Sequence, residues 1–167
     1  MRWPAFVAII VAGIGIDQWI KHLVETRMAM HELIDVLPFL GLFRIHNTGI
    51  AFSMFSGLDR LFLIGLAVAV MIFVGWLAAR TNPAHVLARL GFALILSGAF
   101  SNNLIDRLLL GYVVDYVLFH TPVWSFAVFN LADAFISVGA GLVILDEVIL
   151  WRRHSRQGDE GSGPGGG

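Results

Sequence analysis

The stretch LFLIGLAVAVMIFVGWLAA, residues 61–79, decides the fold. It carries no charged side chain, and its length is close to the ~20 residues that a helix needs to cross the hydrocarbon core of a bilayer. Three other stretches read the same way: about Pro4 to Leu23, about Val86 to Leu104, and about Asn130 to Leu150. Together with the first, taken from about Leu58 to Ala79, they predict four membrane-spanning helices. The apolar runs are continuous rather than alternating, which argues against a barrel of strands.

Composition agrees. The chain has 167 residues, of which 57% are hydrophobic and 14% charged, and its mean hydropathy is +0.79. A soluble domain of this length cannot hide so much apolar surface, so lipid must solvate most of it. The net charge of −1 gives no sign of a nucleic-acid partner or a polybasic patch. The absence of cysteine excludes a thiol nucleophile, a disulfide framework and thiolate metal sites. Arg2 and the run Pro4 to Ile16 have the look of a signal peptide. The run leads, however, into Asp17-Gln18-Trp19-Ile20-Lys21 rather than a small-residue cleavage site, so this segment reads as a retained anchor.

The second and third spans are joined by a short connection, residues 80–85. The other two connections, about Thr26 to Gly57 and about Asp106 to Phe129, are long enough to fold into caps. Tyr112 to Phe119 and part of Leu42 to Phe55 are rich in β-branched and aromatic residues and are expected to form strands. The predicted architecture is an all-α membrane protein of four helices with a small β-containing cap. Residues 1–151 form the domain, and 152–167 a disordered, first basic and then Gly-rich tail. An even number of spans puts both termini on one side. Arg2, Arg80, Arg89, Arg152, Arg153 and Arg156 favour the cytoplasm for that side, which leaves the caps facing outward.

Polar residues among so many apolar ones are the candidates for chemistry. Asp115, in Gly111-Tyr112-Val113-Val114-Asp115-Tyr116, and Asp133, in Phe129-Asn130-Leu131-Ala132-Asp133-Ala134, stand at the two ends of one outer loop. Two carboxylates that meet can share one proton and activate water. Each could equally be a separate buried carboxylate, with Asp133 capping a helix, and spacing alone leaves these readings level. Asp17 and Lys21 are four residues apart and can pair as an orienting salt bridge. Lys21, the single lysine, is also the only base available to a Ser–Lys hydrolase, but no serine motif accompanies it. Asn47-Thr48-Gly49 reads as a turn in which Gly49 supplies backbone freedom and Asn47 is free to hold a substrate backbone. Asp106 and Arg107 are adjacent, so their side chains diverge to different partners, with Asn103 a substrate or scaffold contact. Asp146 and Glu147 lie about 20 Å along the last helix from Asp133 and cannot join it. His31-Glu32-Leu33-Ile34-Asp35 lacks the second histidine of a zinc-protease helix, and no metal site is indicated.

Five blocks in order change the balance: Asp17-Gln18-Trp19-Ile20-Lys21, Asn47-Thr48-Gly49-Ile50-Ala51-Phe52, Asn103-Leu104-Ile105-Asp106-Arg107, Gly111 to Tyr116, and Phe129 to Ala134. This series resembles the signature of lipoprotein signal peptidase, or signal peptidase II, from about residue 5 to about residue 150. The resemblance implies an aspartic endopeptidase of the bacterial cytoplasmic membrane. It would remove the signal peptide from prolipoproteins just before their diacylglyceryl-modified cysteine, without a cofactor. Asp115 and Asp133 match the catalytic pair; Asp17, Lys21, Asn47, Asn103, Asp106, Arg107 and Asn130 match the polar positions around it. The implied partners are the lipidated prolipoprotein and membrane lipid, the implied inhibitor is the cyclic peptide globomycin, and the expected state is a monomer. Two departures stand out: Ser97-Gly98-Ala99-Phe100-Ser101-Asn102 replaces a smaller, Gly-rich stretch, and Ile50 stands where alanine is usual. The rival readings are a proton-coupled transporter using the same aspartates, and a small four-span scaffold with no chemistry.

Overall fold

The computed structural model describes residues 1–49 and 60–161, with side chains through 153. Helix α1 (Trp3–Arg27) starts on Pro4, whose missing N–H costs nothing in the first turn, and closes on Arg27, a cation at the negative end of the helix dipole. Helix α2 (Arg60–Arg80) is apolar around its whole circumference, and Leu61, Phe62, Ile72, Phe73 and Trp76 are exposed. An exposed face of that composition has no favourable aqueous solvent. The start expected for this span, Leu58, lies outside the described residues, as do Ile50, Ala51 and Phe52.

Among the described residues, three helices are long and apolar enough to cross a membrane: Trp3–Arg27, Arg60–Arg80 and Leu131–Arg153. The remaining expected span differs. Helix α3 (Val86–Phe100) has only 15 residues before the winding loosens into a π-helical segment, Ser101–Leu110. The cause lies in the sequence, where the apolar run meets Ser101-Asn102-Asn103 and Asp106-Arg107, which turn inward. Gly111 ends the segment at φ +90°, a left-handed conformation that suits glycine. Helix α4 (Leu131–Gly161) continues past Trp151, so a helix occupies the first part of the segment expected from sequence to be a disordered tail. No strong helix breaker interrupts Trp151 to Gln157.

Helices α3 and α4 approach to backbone contact. A Cβ on Gly98 would overlap the Ala132 carbonyl, and one on Gly91 would overlap that of Gly139. Phe6, Val74, Ala78, Ala88 and Phe92 fill the core between α1, α2 and α3. At one end of the bundle sits an antiparallel sheet in the order β1 (Leu33–Leu37), β2 (Leu40–Asn47), β3 (Val113–Thr121) and β4 (Trp124–Ser125). The expected strands are β2 and β3; β1 and β4 complete the sheet. It rests on α1 through Val24, Met28, Val114 and Tyr116. Asn47 pairs with Val113 and Ile45 with Asp115, so Asn47 and Asp115 share a sheet face, diagonal to one another. Backbone bonds from Tyr116 and Val117 to the Phe129 carbonyl, 3.0 and 2.8 Å, carry the chain from β3 to the start of α4. At the opposite end the Met1 amine donates to the Pro83 carbonyl and His85 Nδ1 meets Asp146 Oδ2 at 2.9 Å. Asp146 is therefore far from Asp133, as helix length requires.

Candidate active site

The site is assembled by amides whose orientation the backbone fixes. Asn130 precedes α4, and its Oδ1 accepts the Asp133 N–H at 2.9 Å. In return Asp133 Oδ2 accepts the Asn130 N–H at 3.2 Å. This reciprocal clasp is a capping box, built here from Asn and Asp. With its oxygen committed, Asn130 must turn its NH2 the other way, where Nδ2 donates to Asp115 Oδ1 at 2.6 Å. Asn47 is fixed by the same logic. Its Oδ1 accepts the Gly49 N–H at 2.9 Å, so Nδ2 faces Asp115 Oδ2 and donates at 2.8 Å. Each oxygen of Asp115 thus accepts one amide.

Asp115 is 1% exposed. Burial, and then the charge of Asp133, push its carboxyl up to about 7, against the opposing pull of the Asn47 and Asn130 hydrogen bonds and of Lys21. Asp115 and Asp133 line one cleft of about 120 Å³ with Asn47, Asn102, Asn103 and Arg107. Asp133 also borders an apolar groove of about 560 Å³ between α4 and the aromatic residues Phe119, Trp124, Phe126 and Phe129. Asn103, Arg107 and Ile136 border a second apolar groove of about 220 Å³ that runs along α2.

Behind the cleft lies a sealed ionic knot. Lys21 Nζ meets Asp17 Oδ2 at 2.7 Å, Asp106 Oδ2 at 2.8 Å and Asn102 Oδ1 at 2.5 Å, which uses all three of its protons. The Asp17–Lys21 pair is thus a buried knot that ties α1 to the π-helical segment, beyond the simple orienting bridge read from spacing. Asp17 also accepts Ser101 Oγ–H at 2.6 Å and the Ala132 N–H at 2.9 Å, fixing the first turn of α4. Gln18 Nε2 donates to Asp106 Oδ1 at 2.6 Å. Arg107 diverges from Asp106, as adjacency requires. It reaches the carbonyls of Thr48 and Gly49 and, through Nε, Asn103 Oδ1 at 3.1 Å. Asn103 in turn donates to the Ala99 carbonyl, a scaffold contact that also edges the cleft.

All the candidate site residues therefore converge on one end of the molecule. Sequence reasoning misses four more: Gln18, Ser101, Asn102 and Tyr116. Tyr116 accepts the Leu131 N–H through its hydroxyl at 3.2 Å. Asn102 donates from Nδ2 to Asp133 Oδ1 at 2.9 Å. Ser101, which shares Asp17 Oδ2 with Lys21, is fully buried and donates to that carboxylate, so it offers no accessible nucleophile for a Ser–Lys mechanism. On the face of β2 turned toward α1, His46 stacks on Tyr112 with ring centroids 3.6 Å apart, and both contact Glu25. Burial, then Arg44, lowers the imidazole pKa of His46.

Comparison with known proteins gives a consistent result. The model of the family described as signal peptidase (SPase) II matches residues 9–149. A lipoprotein signal peptidase of Mesorhizobium japonicum is 61% identical over 151 residues, covering 90% of this chain and 89% of the relative. One from Brucella ovis is 58% identical over 151 residues, 90% of this chain and 93% of the relative. A bacterial membrane enzyme solved by the in meso method at 2.3 Å resolution superposes with a TM-score of 0.80 at 26% identity, over 92% of each chain. A second, at 1.9 Å resolution, gives 0.76 at 25% identity, over 86% of this chain and 92% of that one.

Proposed function

The chain belongs to the signal peptidase II family, and we propose on that premise that Asp115 and Asp133 act as a dyad to cut prolipoproteins just before the lipidated cysteine. The family's work is removal of signal peptides from prolipoproteins in a bacterial membrane, a proteolytic activity. The observation that carries the dyad is the single cleft that both carboxyls line, with Asn130 bonded to each. Two carboxyls in one buried cleft share a proton. One takes a proton from water, the other donates to the scissile carbonyl, and the tetrahedral intermediate collapses as the amine leaves.

The apolar grooves on either side of the cleft suit the two apolar parts of such a substrate, its signal helix and its diacylglyceryl group. Asn47, Asn103, Asn130, Gly49 and Arg107 shape the cleft, while Asp17, Lys21 and Asp106 brace it. Helix α3 with its π-helical continuation supplies the fourth crossing. Both termini lie in the cytoplasm, the sheet and the dyad lie at the outer face, the enzyme works as a monomer, and globomycin blocks it. Family membership disfavours the transporter reading.

The test is cleavage of a purified lipidated prolipoprotein by purified protein. Asp115→Asn and Asp133→Asn are each expected to lower kcat by at least about 100-fold, with folded protein still recovered from membranes. Near-normal cleavage by either variant removes the dyad.

A further inference from the structure

We propose that Asn102 is a positioning residue that passes the donor-only character of Lys21 on to Asp133, so that Asp133 enters the reaction as the ionised base and Asp115 as the proton carrier. This rests on the dyad reading and assigns the two roles within it.

A lysine ammonium has donors and no acceptor, so the group of Asn102 that faces it must be the oxygen. The contact of 2.5 Å between Lys21 Nζ and Asn102 Oδ1 therefore fixes which way the amide points. Its NH2 is then turned away from Lys21, and Nδ2 donates to Asp133 Oδ1 at 2.9 Å and, at the longer distance of 3.4 Å, to Asn130 Oδ1. Asp133 Oδ2 is already an acceptor, for the Asn130 N–H. Asp133 also stands in the first turn of α4, at the positive end of the helix dipole. Two donors and a dipole all favour the anion there. Asp115 lies in a strand, away from any helix start, and among the described residues its side-chain donors are the amides of Asn47 and Asn130, neither of which is turned by a cation. The other charged or titratable groups around the pair are Asp17 and Lys21 from α1, Asp106 and Arg107 from the π-helical segment, and Tyr116 from β3. All of them remain when Asn102 is changed.

Protons and electron pairs balance over the cycle. Asp133 takes a proton from water, whose oxygen bonds to the scissile carbonyl carbon while Asp115 protonates the carbonyl oxygen. On collapse the C–N bond breaks, the nitrogen takes the proton from Asp133, and one hydroxyl of the intermediate returns a proton to Asp115. Both carboxyls end as they began.

Asn102→Leu keeps the volume and removes the side-chain hydrogen bonds to Lys21, Asp133 and Asn130. The acidic limb of its kcat profile, which reports the first deprotonation of the pair, is expected to move up by about one pH unit. Well below that limb, kcat is expected to fall about 10-fold with KM within about twofold. A merely structural role would lower kcat at every pH with the limb unmoved. Movement of the alkaline limb instead would give Asp133 the acid role. Either result overturns the proposal. A second measurement needs no change at position 102. At pH 6 the infrared spectrum of the unsubstituted protein should contain a protonated-carboxyl band that Asp115→Asn removes, and a band surviving in that variant rejects the assignment. If Asp115→Asn and Asp133→Asn both cleave normally, the dyad itself fails. If both are inactive and the Asn102→Leu profile is unchanged, only the role of Asn102 fails.

Discussion

Asn130 bonds Asp115 and Asp133 at once, giving its side-chain NH2 to the first at 2.6 Å and exchanging two backbone-to-side-chain bonds with the second. One short amide therefore sets the separation of the two carboxyls and the starting point of a helix. Asn130→Ala is expected to cost about 1 kcal/mol of stability through the lost cap. Cleavage should fall by about 100-fold or more, because Asp115 also loses a donor. Thermal unfolding in detergent and a cleavage assay together check this, and a loss of stability with activity intact would count against the bridging role.

The pH profile reflects the environment of Asp115. Its carboxyl is held up to about 7 by burial and by Asp133, so the proton it carries in the proposed mechanism is present below that value and lost above it. Activity on a lipidated precursor should therefore decline as pH rises through about 7. Stability has the matching sign. A carboxyl that binds its proton more tightly when folded favours the folded state most below its ordinary value near 3.8. That advantage is lost as pH climbs toward about 7. Comparing unfolding of the parent and Asp115→Asn at pH 5 and pH 8 isolates the effect, since only the parent should lose stability on account of this group.

Lys21→Met is expected to be the most damaging substitution in α1. It would leave Asp17 and Asp106 buried without the cation that holds both. Breaking a buried pair from one side costs about 3–5 kcal/mol. Adding Asp106→Asn to Lys21→Met should recover part of that loss, and a double-mutant cycle on thermal unfolding measures how much.

Gly98→Ala tests the contact between helices. The added methyl would overlap the carbonyl of Ala132, next to Asp133. A stability loss of about 1–3 kcal/mol is expected. The kcat should fall further than Gly91→Ala causes, because Gly91 meets α4 at Gly139, away from Asp133. Equal kcat for the two variants would speak against this.

How much of the molecule is legible in the chain depends on the kind of signal. Long apolar runs announce α1, α2 and α4, because length and hydropathy alone define a membrane-crossing helix. The third run departs from its expected form. Ser101 to Arg107 winds as a π-helix, and that winding changes which side chains face inward. Asn102 and Asn103 are neighbours, and a count based on the α-helix gives no reason to send the first toward Lys21 and Asp133 and the second toward Ala99 and Arg107. Strand β1 is hidden for another reason. All five of its residues are exposed, so it lacks the alternation that marks a half-buried strand. Asp115 and Asp133 are visible because a carboxyl in such apolar company is costly. The amides that orient them carry no such signature: Asn47 is noticed only as a turn residue, Asn130 enters through resemblance, and Asn102 is passed over.

The clasp at the start of α4 has a consequence for how this protein can change. Position 133 answers to two demands together, since the side chain that faces the cleft also tells the chain where to begin its last helix. Asparagine can still accept the N–H of Asn130 while giving up the charge, so it separates the two demands. Alanine removes both, and an inactive alanine variant would say nothing about which one mattered. Over evolutionary time the same coupling leaves position 133 little freedom to drift, because a residue with one of the two properties fails the other.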